Sequence, residues 1–95
     1  MPTYIMLSTL TDEGAKTLRR KPARIKEVNS ELEKAGVKVH SQWATLGMYD
    51  CVNVVEASDN TKIAKVSADL AARGTVKIMP LPAVDIDEFI GSMGK

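Results

Sequence analysis

The stretch Val37–Ala57, VKVHSQWATLGMYDCVNVVEA, decides how this 95-residue chain folds. Both halves are rich in β-branched residues, and Gly47-Met48 interrupts them. Two strands follow, 37–46 and 49–57, joined by a two-residue loop with glycine first, as a type II′ turn requires. That loop sets Thr45 opposite Asp50, Trp43 opposite Val52, Ser41 opposite Val54 and His40 opposite Val55.

Working outward toward the N-terminus, Thr3–Thr9 has strand composition, and Thr11-Asp12-Glu13-Gly14 opens a short helix through Leu18. Pro22 suits the first turn of a longer helix, where its missing N–H would have no partner anyway. Ile25, Val28, Leu32 and Ala35 then make one apolar stripe, which Gly36 terminates. Toward the C-terminus, Ser58 or Asp59 caps a helix whose stripe is Ile63, Val66 and Leu70 and whose stop is Gly74. Thr75–Met79 is the fourth strand, and Pro80 assigns it to a sheet edge because proline cannot donate to a ladder. Asp85 and Glu88 have capping-box spacing, with Val84 and Phe89 placed to staple a short terminal helix. Residues 91–95 are expected to fray.

The order is βαββαβ plus a terminal helix, an α+β chain of the split βαβ, or ferredoxin-like, type. Right-handed crossovers arrange the four strands antiparallel in the order 4-1-3-2, with both long helices on one face. Strand one offers two parities, Ile5 with Leu7 or Tyr4 with Met6 and Ser8. Taking the purely apolar one, Ile5, Leu7, Val37, Val39, Trp43, Val52, Val54, Val76 and Ile78 form the core beneath the helices. The open face then carries Tyr4, Met6, Ser8, His40, Gln42, Ala44, Cys51, Asn53, Val55, Lys77 and Met79. A one-residue slip would exchange the two sets. No remaining element is large enough to roof the open face. A homodimer packed sheet to sheet, or a higher oligomer, is therefore expected, with a cavity at that face.

Composition bounds the function. Thirteen Lys+Arg against twelve Asp+Glu give a formal charge of +1, which argues against a nucleic-acid surface. Apolar residues at 44% and charged residues at 26% are globular proportions, so a packed core is expected over residues 1–95, read as one domain. Cys51 alone cannot build a disulfide framework or a thiolate zinc site. No apolar run approaches the length of a membrane span, and Met1–Ile5 lacks a signal-peptide pattern. The expectation is a cytoplasmic protein without membrane partners.

Leu46-Gly47-Met48-Tyr49-Asp50, followed by Val54-Val55-Glu56-Ala57 and preceded by Trp43-Ala44-Thr45, resembles the GYD-domain family. Thr11-Asp12-x-Gly14, Lys21-Pro22-x-Arg24 and Gly74-Thr75-Val76 extend the resemblance over nearly the whole chain. It implies a small bacterial or archaeal ferredoxin-like domain, similar in architecture to the dimeric α/β-barrel superfamily. That superfamily spans cofactor-independent oxygenases, isomerising enzymes, haem-handling proteins and plain binding domains, so the resemblance implies no one activity.

Gly47, Tyr49 and Asp50 are the residues to which the resemblance points. As structural residues, Gly47 supplies a positive φ, Tyr49 packs on the hairpin, and Asp50 accepts hydrogen bonds from Thr9, Thr11 or free helix N–H groups. As functional ones, Tyr49 and Asp50 form an acid–base or ligand-anchoring pair. His40, the sole histidine, is the other candidate base and neighbours Gln42. It is too far from Cys51 in this register to activate the thiol. No metal-ligand spacing is present and no cofactor is implied. Lys16, Arg19, Arg20, Lys21, Arg24 and Lys26 read as a solvated helix face.

Three functions stay open. The first is a small-molecule-binding domain with Tyr4, His40, Gln42, Asn53 and Tyr49 lining the cavity. The second is a cofactor-independent enzyme acting on a small carbonyl or phenolic compound through His40, Tyr49 or Asp50. The third is an assembly or regulatory subunit that recruits another protein.

Overall fold

A computed structural model describes residues 1–94. The elements are β1 (Thr3–Leu10), α1 (Asp12–Arg20), α2 (Arg24–Lys34), β2 (Lys38–Ala44), β3 (Cys51–Glu56), α3 (Asn60–Ala71), β4 (Val76–Ala83) and α4 (Ile86–Ser92). The strands form one antiparallel sheet in the order β2-β3-β1-β4, the predicted topology. Both central strands are β-branched or apolar at most positions, as a half-buried pleat favours.

The helix starts follow from side-chain capping. Thr11 Oγ1 accepts the Gly14 N–H at 3.1 Å, and Asp59 Oδ1 accepts that of Lys62 at 2.9 Å. Each satisfies one of the donors that a helix N-terminus leaves free. Gly36 (φ +90°) and Gly74 (φ +77°) end α2 and α3 in the left-handed region, where a side chain would be strained. Pro22 lies in the turn before α2 rather than in its first turn, and Ala23 caps the helix without a side-chain bond.

At the hairpin the register is the expected one: Trp43 pairs with Val52 and Ser41 with Val54. The loop is wider than two residues. Regular pairing stops at Ala44 and Cys51, and a single Thr45 N–H to Asp50 carbonyl bond of 2.8 Å continues it. A bulge then falls between Val39 and Ser41, so that Val39, not His40, pairs with Val55. The extra residue puts Val39 on the face opposite Trp43, whereas simple alternation would join them.

On β1, on β3 and at the hairpin end of β2 the two faces are exchanged relative to the sequence expectation, whereas Val37, Val39, Val76 and Ile78 lie on the helix side and Met79 on the open face, as expected. The core consists of Tyr4, Met6, Leu32, Val37, Val55, Ala57, Ile63, Val66 and Leu70, with Val28, Val39, Val76 and Ile78 packed against it. Ser8, Gln42, Cys51 and Asn53 share the Tyr4 face by register. Ile5, Leu7, Trp43, Val52, Val54, Met79 and Leu81 lie on the opposite, open face. The purely apolar parity of β1 was expected to face the helices, but the mixed parity does. Its polar members border a cavity, so they need not reach bulk water.

Two close approaches fix the first helix. Thr11 donates its N–H to the Thr75 carbonyl at 3.0 Å and its hydroxyl to the Gly74 carbonyl at 2.7 Å. A Cβ at Gly14 would lie 1.9 Å from the Thr75 carbonyl oxygen, so only glycine lets α1 sit this near β4. Strand β4 runs through Pro80 and Pro82, four residues beyond the expected end, and occupies an edge as predicted. Because the ladder to β1 spans both prolines, their missing N–H groups fall on the outer side.

Candidate functional site

A mostly apolar cavity lies between the helices and the sheet, not on the open face. Its volume is about 280 Å³, and α1, α2, the end of α3 and the covered side of β1–β4 enclose it. The wall is mainly hydrocarbon, including Met6, Leu18, Val28, Leu32, Val76 and Ile78. The fully buried Tyr4, Val37 and Val55 lie toward the other end of the sheet. Helices α1 and α2 bring only part of their apolar faces down, and Leu18 and Val28 remain half-buried.

Three amide side chains, Asn29, Gln42 and Asn53, contribute to the polar part of this wall. Gln42 and Asn53 are register partners on the covered face, and Asn29 of α2 donates from Nδ2 to Gln42 Oε1. The Oδ1 atoms of Asn29 and Asn53 are buried with no hydrogen-bond partner. An unpaired buried carbonyl oxygen typically costs about 1–3 kcal/mol, so this cluster holds unused bonding capacity. Ser8 and Cys51, register partners one row along, add a hydroxyl and a thiol. Burial, with the Asp50 charge adding to it, pushes the Cys51 thiol pKa up, so the group stays neutral and poorly nucleophilic near pH 7.

Ion pairs close the rim. Arg24 reaches Glu27 at 3.2 Å and Glu31 at 3.3 Å, Arg73 reaches Glu31 at 2.6 Å, and Lys21 reaches Glu27 at 3.0 Å. The Arg73 hydrogen bond chiefly holds Glu31 below the usual glutamate pKa, and that of Lys21 does the same for Glu27. Glu31 therefore ties α2 to the end of α3 across the mouth.

The residues singled out in the sequence do not meet at one place. Gln42 and Asn53 line the cavity. Tyr4 is in the core, its hydroxyl donating to Asn60 Oδ1 at 2.7 Å. His40, in the bulge at the sheet edge, lies 3.0 Å from a Glu56 carboxylate oxygen. Asp50 is at the far end of β3, six residues or about 20 Å of strand from Glu56, so it shares no proton with His40. Its Oδ2 accepts the Leu10 N–H at 2.8 Å, and its own N–H donates to the Ser8 carbonyl at 2.9 Å. Tyr49 crosses to the open-face residue Met79, with its hydroxyl 3.7 Å from the sulfur.

Asn29, Arg24 and Arg73 are among the cavity residues not picked out from the sequence. A signal for Asn29 existed, since it completes the i, i+3, i+4, i+7 set of Ile25, Val28 and Leu32 as its one polar member. No group of three or more histidine, cysteine, aspartate or glutamate side chains suited to a metal occurs among the described residues. No helix among them is long and apolar enough to cross a membrane.

A small α+β domain, with a four-stranded antiparallel sheet and a Gly-x-Tyr-Asp hairpin tip, is the class these features define. The chain belongs to the GYD domain family, whose model matches residues 4–93. A Thermus thermophilus protein named glutamine synthetase and cystathionine beta-lyase binding protein is 54% identical over 94 residues. The match covers 98% of this chain and 99% of that protein. No solved structure matches the chain.

Proposed function

We propose that this chain is a protein-binding module that engages metabolic enzymes, of the kind for which its Thermus relative is named. The observation that carries this reading is the terminal helix α4, none of whose residues is buried. Ile86, Phe89, Ile90 and Met93 recur at i, i+3, i+4 and i+7, and each is about half exposed or more. That spacing gives a helix one apolar side suited to a groove on another protein. Capping by Asp85, which accepts the Asp87 and Glu88 N–H groups at 3.0 and 3.3 Å, lets so short a helix form before it is covered. The apolar open face of the sheet is assigned to a second copy, leaving α4 for the enzyme.

The test is co-elution with purified glutamine synthetase and cystathionine β-lyase from the same organism. A complex with either, lost in Phe89→Glu while the fold persists, is the expected outcome. Absence of a complex with both enzymes, or full binding by Phe89→Glu, overturns the proposal.

The cavity favours a second reading, that the domain also holds a small molecule. In this reading the ligand sits under the helices, against Gln42 and Asn53 and away from Tyr4, His40 and Tyr49. A cofactor-independent enzyme using His40 with Asp50 gains no support from their separation.

A further inference from the structure

Resting on the small-molecule reading, we infer that the cavity beneath α1 and α2 takes an uncharged, mostly hydrocarbon molecule bearing a carboxamide or lactam head. Charge is excluded by the wall itself. Its residues include no aspartate, glutamate, lysine or histidine. Its two cations, Arg24 and Arg73, are already paired with Glu27 and Glu31 at the rim. An anion brought inside would leave water and meet no free positive group, and a cation would meet no free carboxylate.

The head group follows from the amides. Asn53 makes no side-chain hydrogen bond among the described residues, and its Oδ1 is buried without one. Asn29 spends its Nδ2 on Gln42 and leaves its Oδ1 unpaired. A side-chain amide is planar, with a donor and an acceptor on one edge. The partner that satisfies both at once is another amide edge, N–H to oxygen and oxygen to N–H. A hydroxyl donates and accepts through one atom, so it cannot meet both atoms of an amide edge in parallel, and a pure hydrocarbon leaves both bonds unmade. The rest of the molecule lies against Met6, Leu18, Val28 and Val76. At about 30 Å³ for each water displaced, the space holds the equivalent of roughly nine waters, enough for a molecule of about ten non-hydrogen atoms.

Benzamide, toluene and benzoate share a ring and differ in the head, so together they separate the two levels of this inference. Each is titrated into the ¹⁵N-labelled full-length chain and followed by backbone and side-chain amide resonances. Benzamide should bind saturably, shift the Asn53 and Gln42 side-chain NH₂ signals, and bind about tenfold more tightly than toluene. Benzoate should not bind. In Asn53→Leu, benzamide should fall to the level of toluene. If that variant does not fold, nuclear Overhauser contacts from benzamide ring protons to Leu18 and Val28 methyls in the wild type decide the matter, and their absence overturns the site. Toluene or benzoate binding as tightly as benzamide overturns the head group while the cavity stands as a binding site. Failure of all three to bind overturns both.

Discussion

Asp50 is held by β1 and by the residue that follows β2. Its N–H donates to Ser8, its carbonyl accepts from Thr45 and its carboxylate accepts from Leu10, each at 2.8–2.9 Å. The last bond matters because Leu10 ends β1 where the chain turns into α1, and its N–H has no strand partner on that side. Asp50→Ala should cost about 1–2 kcal/mol in urea unfolding, and Asp50→Asn, which retains an acceptor oxygen, should cost less. Equal stability of the alanine variant and the wild type would refute this role. That an aspartate beside a tight loop anchors backbone could be read from sequence, but which N–H it anchors could not. The expected partners were Thr9, Thr11 or free helix N–H groups, and the donor found, Leu10, lies between the two threonines. His40 shows the same limit more sharply. The bulge that displaces it carries no glycine, so nothing in the sequence signals that the alternation breaks there.

Between elements, the clasp of α2 to α3 through Glu31 depends on charge. Glu31 and Glu27 have pKa values lowered on folding by their arginine and lysine partners, so both bind protons less readily when folded than when unfolded. Their contribution is therefore complete above the usual glutamate range and disappears as pH falls through the lowered folded values. Thermal unfolding should show the melting temperature dropping as pH falls from about 5 to 3, with a shallower drop in Glu31→Gln. Parallel curves for the two proteins would contradict the clasp. The elements themselves were largely legible: the Ile63, Val66 and Leu70 stripe, both glycine stops and the hairpin register were readable from spacing alone. The helix-side placement of Val37, Val39, Val76 and Ile78 was legible too, but the faces of β1 and β3 were not. Tyr4 with Met6 and Ile5 with Leu7 are both apolar enough to be core, so alternation in β1 could not choose between them. The polar Ser8, Gln42 and Asn53 then tipped the choice the wrong way, because a polar-lined cavity inside a fold looks like a surface in one dimension.

The molecule as a whole is longer than its chain length requires. Its radius of gyration is 14.5 Å, against about 12 Å for a compact domain of this size, and its long axis is 53 Å. Much apolar surface is unroofed. One row of the open face reads Trp43, Val52, Leu7 and Met79 across all four strands, and Trp43 is 64% exposed. Contiguous surfaces of this kind mark association sites. Light scattering should give the mass of a dimer or larger assembly at micromolar concentration, and Leu7→Glu, at the middle of that row, should give a folded monomer. A wild-type protein that stays monomeric would refute the assignment of this face.

Pro80 and Pro82 set a bound on any such growth. The flank of the sheet that they occupy offers too few donors to template another chain, while the flank formed by β2 remains competent. Copies adding edge to edge could join only β2 to β2, and that union consumes both competent flanks. Lateral extension would end at a closed pair, so a stable oligomer of this chain is barred from lengthening into a fibre along its own hydrogen-bond direction.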